Sequence, residues 1–306
     1  MYYLCGMSKM SGYIYGCVSA ATFGLIPLFS LPVMAKGVSS DSVLCYRFCI
    51  AAIALAVLMK LKGEVFRVTK KELLTLVMLG LMYCGSALFL FWGYHLMASG
   101  IASTILYIYP VFVTILMAVF YKEKVSLLNT VAIALAFCGV GFLYLGDGEQ
   151  TFSIVGIVVV LLSALSYALY IVGVNKSVVQ TMAGSKISFY SLVTGIILFG
   201  IKAQIGGGLQ PLPDWQSVAN VFMLAIIPTV VSMVTMVYSV QYVGSTITSV
   251  LGAMEPVTAV VVGIIVFHEA FTFNLGVGIV LIISAVTLII LSDLIVKSLS
   301  RMRKSS

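Results

Sequence analysis

Charge is what this sequence has little of. Only 9% of its 306 residues are Asp, Glu, Lys or Arg, where a soluble domain carries about 25%. A chain that is 61% hydrophobic cannot cover a water-facing surface at that ratio. This excludes an ordinary soluble domain and makes lipid the main solvent. Two histidines and ten scattered acids leave little material for a soluble catalytic centre. Cysteine is also sparse: Cys5, Cys17, Cys45, Cys49, Cys84 and Cys138 all lie in the first half. Cys45 and Cys49 share a helical face, but no histidine or acid completes a metal set. They read as small packing residues, with no metal, no cofactor and no disulfide framework expected.

Long apolar runs are what the chain has instead. A span needs roughly 20 mainly apolar residues. Ten candidates lie between charge clusters and turn signals: 10–35, 42–59, 73–95, 101–121, 127–145, 154–174, 187–203, 218–242, 245–267 and 275–296. The first, at about 26 residues with no small-x-small cleavage site after it, reads as a permanent span and not a signal peptide. The joints near Ser99-Gly100 and Val243-Gly244 are the tightest, and losing either would reduce the count to nine. The expected fold class is an all-α polytopic membrane protein of ten transmembrane helices.

Charge placement gives an orientation. With a cytoplasmic N-terminus and ten alternating spans, fourteen basic residues fall on the cytoplasmic side: Lys9, Lys60, Lys62, Arg67, Lys70, Lys71, Lys122, Lys124, Lys176, Lys186, Lys297, Arg301, Arg303 and Lys304. Three, Lys36, Arg47 and Lys202, fall towards the other. That bias predicts cytoplasmic termini in the cell inner membrane. The outer side collects Asp41, Asp147, Glu149, Asp214 and Glu269. The net charge of +7 therefore reflects topology and lipid headgroups. With the basic residues in short loops and no reading motif, no nucleic-acid partner is expected.

The chain also repeats itself. A shift of 146 residues brings Ser99 onto Ser245, Pro110 onto Pro256 and Glu123 onto Glu269. A shift of 144 aligns the beginnings of the halves, Gly12 with Gly156, Ser19 with Ser163 and Tyr46 with Tyr190. Residues 1–150 and 151–306 thus read as two five-span repeats. An odd number of spans per copy forces the second to enter the membrane upside down. Inverted repeats suit alternating access and place the substrate site near the midplane, at the repeat interface.

Polar residues fall on helical stripes: Pro228, Ser232, Thr235, Ser239 and Tyr242 on span 8; Ser163, Ser166, Tyr167 and Tyr170 on span 6; Ser19 and Thr22 on span 1; Tyr83, Ser86 and Tyr94 on span 3; Ser245, Thr248, Gly252 and Glu255 on span 9. These faces avoid lipid. They either line a hydrated cavity or let helices pack closely and hydrogen-bond; the stripes together favour a cavity. Trp92, Tyr121, Tyr144 and Trp215 near span ends read as interfacial anchors. Tyr107 and Tyr109 face nearly opposite ways, so at most one lines a given cavity face, and Tyr109 is the repeat partner of Glu255.

Glu255 is the only acid deep within a span. An acid at a helix centre costs roughly 2.5–3.5 kcal/mol on insertion scales, so it belongs inside the bundle. Three roles fit it: a ligand for a cationic group or substrate donor, a proton carrier, or a partner for backbone groups freed by Pro256. Arg47, just inside span 2, is a comparable puzzle. It can pair with Asp41, snorkel outward or contact an anionic substrate, and structural or interfacial roles are favoured.

These residues resemble a known family. "ASGIASTILYIYPVFVTILMAVFYKEKVSLLNTVAIALAFCGVGFLYLG" and "YVGSTITSVLGAMEPVTAVVVGIIVFHEAFTFNLGVGIVLIISAV" resemble the two copies of the signature of EamA-type transporters in the drug/metabolite transporter superfamily. Pro110…Glu123 and Pro256…Glu269 carry the pattern, and "YRFCIAA" resembles its arginine-bearing second span. "YKEKVS" and "FHEAFT" depart from it, where many members have Gly-Glu-Arg. The resemblance implies a central cavity lined by spans 3, 4, 8 and 9, with spans 1, 2, 6 and 7 gating. It implies export of amino acids or other small metabolites. Because the Glu-Pro pair recurs among members with different cargo, it implies a shared structural or gating role for Glu255.

The expectation is therefore a carrier, not an enzyme, with a small-molecule substrate and lipid as its partners and proton coupling as one option. Glu255, Tyr83, Tyr107, Tyr109, Ser232, Tyr238, Tyr242 and Gly252 are the candidate cavity residues, with Pro110 and Pro256 as helix-breaking or gating positions. A channel shares the same bundle. An intramembrane lipid-modifying enzyme would need convergent acids and histidines, and His95 and His268 lack partnered motifs.

Overall fold

The structure is a computed structural model that describes residues 9–97, 102, 105–123, 127–144, 154–205, 208–267, 273–274, 276–285 and 287–288. Every regular element among them is helical. Six helices are long and apolar enough to cross a membrane, and shorter apolar helices occupy three further runs. The joint near Ser99-Gly100, Tyr144's side chain, His268, Glu269 and the end of the tenth run lie outside the described residues.

The first run is two helices, α1 (Lys9–Phe23) and α2 (Ile26–Ala35). The Thr22 hydroxyl takes the Val18 and Ser19 carbonyls at 2.7 and 3.0 Å as α1 ends, and Pro27 opens α2 without a backbone donor. Helix α3 (Ser40–Leu61) starts on the Ser39 cap, and α4 (Lys70–Leu96) on a reciprocal box between Thr69 and Glu72. Then follow α5 (Tyr109–Tyr121), α6 (Leu127–Tyr144), α7 (Ile154–Lys176) and α8 (Gly184–Ile205).

The eighth run is α9 (Trp215–Ala225), a π-helical segment (Ile226–Val231) and α10 (Ser232–Val243). Gly244, at φ +89°, is the single residue between α10 and α11 (Ser245–Leu251). A side chain would be strained there, and the glycine makes Val243-Gly244 a true joint. The ninth run then breaks at Gly252-Ala253 before α12 (Met254–Phe267), and α13 (Gly276–Ala285) is the described part of the tenth.

Runs 1, 4 and 9, expected as single helices, are thus interrupted or shortened, and run 8 is distorted. The cause is the same each time. Pro27, Pro110, Pro228 and Pro256 cannot donate to the carbonyl four residues back, so the chain turns or widens there.

The outer faces carry Ile53, Val119, Phe120, Ile197, Ile201 and Ile265, all more than half exposed. A bundle whose outside is this apolar is built for hydrocarbon. Inside, α4 packs along α7 and α1 along α10, while α3 packs on α8. The serines fasten these pairs. Ser19 and Ser232 exchange hydroxyl-to-carbonyl bonds of 2.9 and 3.0 Å. Ser163 donates to the Ser86 carbonyl at 2.7 Å, with the two hydroxyls 3.1 Å apart. The shifts of 144 and 146 carry Ser19 onto Ser163 and Ser86 onto Ser232, so each contact is the image of the other.

The exceptions to the charge bias are also accounted for. Lys36 Nζ meets Asp214 at 2.7 Å, and Lys202 Nζ meets Asp41 at 2.8 Å. Arg47 is buried, at 1% exposure. Two of the readings open for it therefore fail: Asp41 is held by Lys202, and the side chain does not snorkel.

Candidate functional site

Glu255 lies in the first turn of α12, just past the break at Gly252-Ala253. Pro256 cannot donate to the Gly252 carbonyl, and the Glu255 backbone N–H takes that carbonyl instead, at 2.9 Å. The carbonyl freed by the proline thus does not need the Glu255 side chain. The carboxyl faces a narrow cavity whose wall includes Ser19, Phe23, Tyr109, Tyr167, Thr248 and Gly252. A second cavity shares Glu255 and is bounded by Phe23, Gly24, Pro27, Tyr94 and Pro256. Each has room for about one water molecule, so the centre is contracted in this conformation.

Close packing fixes this geometry. A Cβ on Gly24 would lie 2.5 Å from the Glu255 carbonyl oxygen, and one on Gly252 would overlap the Tyr109 hydroxyl. Only glycine lets the end of α1 and the break before α12 approach this closely. Tyr109 begins α5, and its ring meets Tyr167 edge-on with centroids 4.9 Å apart. Tyr167 stacks on Phe23 at 5.7 Å. The arrangement is an acid against two phenols, a hydroxyl and aromatic faces. Chemically it can accept hydrogen bonds, hold a cation or take a proton.

Not all the expected residues meet here. Glu255, Tyr109 and Gly252 line one cavity, with Pro256 at the second. Tyr107 faces away, donating to the Val250 carbonyl at 3.4 Å. Pro110 stands in the first turn of α5, and the Thr114 hydroxyl takes its carbonyl at 2.8 Å. Ser232 is used in the pair with Ser19. Tyr238 and Tyr242 form a separate cluster with Tyr15, at ring distances of 5.7 and 6.2 Å. Tyr83 packs on Tyr170 and Phe48, at 5.3 and 5.9 Å. The lining differs from the implied one because spans 1 and 6 form wall, while span 3 contributes only Tyr94. The reason is that Ser86 and Ser232 are turned into helix pairs. Tyr167 was recognisable from its stripe; Phe23 and Gly24 had no signal beyond Pro27 close behind them.

The EamA-like transporter family model matches the chain twice, over residues 10–145 and 154–291. The chain belongs to the EamA-like transporter family. With it comes membership of the drug/metabolite transporter superfamily, a group of transporters and not of enzymes. An uncharacterized transporter of Archaeoglobus fulgidus is 28% identical to this EamA-like chain over 192 residues, 60% of the chain and 64% of that protein. The uncharacterized transporter YdfC of Bacillus subtilis is 25% identical over 179 residues, 56% of the chain and 55% of that protein. The matches span less than two thirds of these relatives. A protein crystal structure superposes with a TM-score of 0.79 at 17% identity, covering 92% of this chain and 98% of its own. That likeness concerns the fold alone.

Proposed function

We propose that this EamA-like protein is a carrier of ten spans in two inverted repeats. It exports a small polar or amphiphilic metabolite, such as an amino acid, across the cell inner membrane by alternating access. Its termini are cytoplasmic. The observation that carries the reading is the position of Glu255. It sits at a helix break, against Tyr109, its partner in the other repeat, inside the bundle and not on the lipid face. The mirrored serine pairs support the inverted repeat, because a two-fold relation maps each helix contact onto its image. The contracted cavity supports moving helices. A metabolite enters only if the helices separate, and the breaks at Gly24-Leu25, Tyr107-Ile108 and Gly252-Ala253 are where they bend.

Glu255 either holds a donor group of the substrate or carries a proton, and both roles use a carboxyl that no side chain among the described residues holds. The direct test is exchange in liposomes containing the purified protein, loaded in turn with amino acids, nucleosides and cationic drugs. A carrier gives saturable counterflow of at least one solute. Conductance without saturable counterflow would identify a channel and overturn the reading.

A further inference from the structure

Arg47 is the largest fully buried side chain among the described residues, and the role given to Glu255 does not use it. A guanidinium offers five N–H donors and no acceptor. Among the described residues one of these makes a well-aligned hydrogen bond: Nε donates to Thr229 Oγ1 at 2.6 Å. No carboxylate of a described residue lies within 4.0 Å of it. A buried charge normally has a partner, because stripping it of water is costly.

Its neighbours sharpen the point. Pro228 cannot donate to the Leu224 carbonyl, and the Thr229 hydroxyl does so instead, at 2.7 Å. The Thr229 proton is thus committed, and its oxygen is turned to Arg47 as a fixed acceptor. This chain of bonds runs through the π-helical segment, a feature frequent at functional sites. It orients the guanidinium without neutralising it. On the other side stands Tyr83, an electrostatic neighbour of the guanidinium, with Tyr170 packed against it. Both hydroxyls are buried and make no well-aligned hydrogen bond to a described residue. Buried polar groups are rarely left so.

We propose that Arg47, Tyr83 and Tyr170 form an anion-binding subsite that takes a singly charged carboxylate of the substrate. A guanidinium and two hydroxyls that converge with no carboxylate among the described residues suit an oxyanion, and a guanidinium receives a planar carboxylate through two parallel bonds. One cation among Phe48, Phe199 and tyrosines matches a monoanion. A phosphate dianion would leave a surplus buried charge. The proposal rests on the carrier reading only for the opening that admits the ligand, and binding is measured without transport.

The test is thermal unfolding of the purified full chain in detergent. Probes are acetate and benzoate, their uncharged counterparts acetamide and benzamide, and inorganic phosphate. At least one carboxylate should raise the unfolding temperature, its amide should not, and phosphate should do less. Tyr83→Phe and Tyr170→Phe remove no well-aligned hydrogen bond to a described residue, so their unfolding temperatures should stay near that of wild type. Each should nevertheless need about tenfold more carboxylate for the same shift. Arg47→Gln should lose the response. No carboxylate shift in wild type, an equal shift with the amide, a stronger one with phosphate, or unaltered affinity in both tyrosine variants would each overturn the proposal. A carboxylate shift in a protein that shows no counterflow would overturn the carrier reading and leave this one standing.

Discussion

Ser19 and Ser232 bond each other's carbonyls, and Ser163 repeats the Ser19 half of that contact by donating to the Ser86 carbonyl. In lipid, such interhelical hydrogen bonds average about 0.6 kcal/mol and reach about 1.7. Ser19→Ala and Ser163→Ala, which remove the two repeat-related donors, should therefore each lose stability in that range, and by similar amounts, in unfolding from detergent micelles. Unequal losses would count against a two-fold relation between the halves. At the N-cap of α9, Asp214 is held at about 2 by the hydrogen bond from Lys36 and the Ser217 backbone N–H. Its unfolded value lies near the usual ~3.9. A carboxyl lowered on folding stabilises the fold above the unfolded value and loses that contribution as pH falls towards the folded one. Asp214→Ala should thus lower the melting temperature at pH 7, and the gap from wild type should narrow between about pH 4 and 2.

Prolines organise the helices at the next scale up. Four of them stand where a run turns or widens, and in each case the orphaned backbone group, a nearby hydroxyl or a bend takes the consequence. The turn after α5 shows the same economy of means. Lys122 caps that helix at φ +53°, in the left-handed region where a side chain costs roughly 1–2 kcal/mol. Lys122→Gly should be tolerated and raise stability by up to about 1 kcal/mol, the relief of strain exceeding glycine's entropy cost. A lower melting temperature would mean that the lysine side chain, on its exposed turn, contributes more than the strain removes.

Across the whole molecule, the all-helical class, the long runs and the joint at Gly244 were legible because hydropathy and glycine report them directly. So was the inward position of Glu255, since an acid in lipid is too costly. Other features were not. The break at Gly24-Leu25 changes no hydropathy, because the residues around it are as apolar as the helices. The π-helical segment depends on which group replaces the missing donor of Pro228, which no periodicity reveals. Stripes of serine and threonine look alike whether they face a cavity or another helix. The structure shows Ser86, Ser163 and Ser232 against helices, has Ser19 both paired with Ser232 and on the cavity wall, and leaves Glu255, Tyr109 and Thr248 at the cavity. Arg47 looked like an interfacial residue from its place near the start of a run, but packing of α3 against the π-helical segment and neighbouring helices buries it.

The central claim is that the Glu255 carboxyl, at the break between α11 and α12, acts in transport. Glu255→Gln keeps the size and the break and removes only the ionisable group. Counterflow in liposomes, measured for wild type and Glu255→Gln from pH 5 to 9, tests this most directly. The account predicts that the variant transports at least tenfold more slowly, by the loss of about 1.4 kcal/mol or more of stabilisation, or that it loses the pH dependence of the wild type. Equal rates with the same pH profile would contradict it.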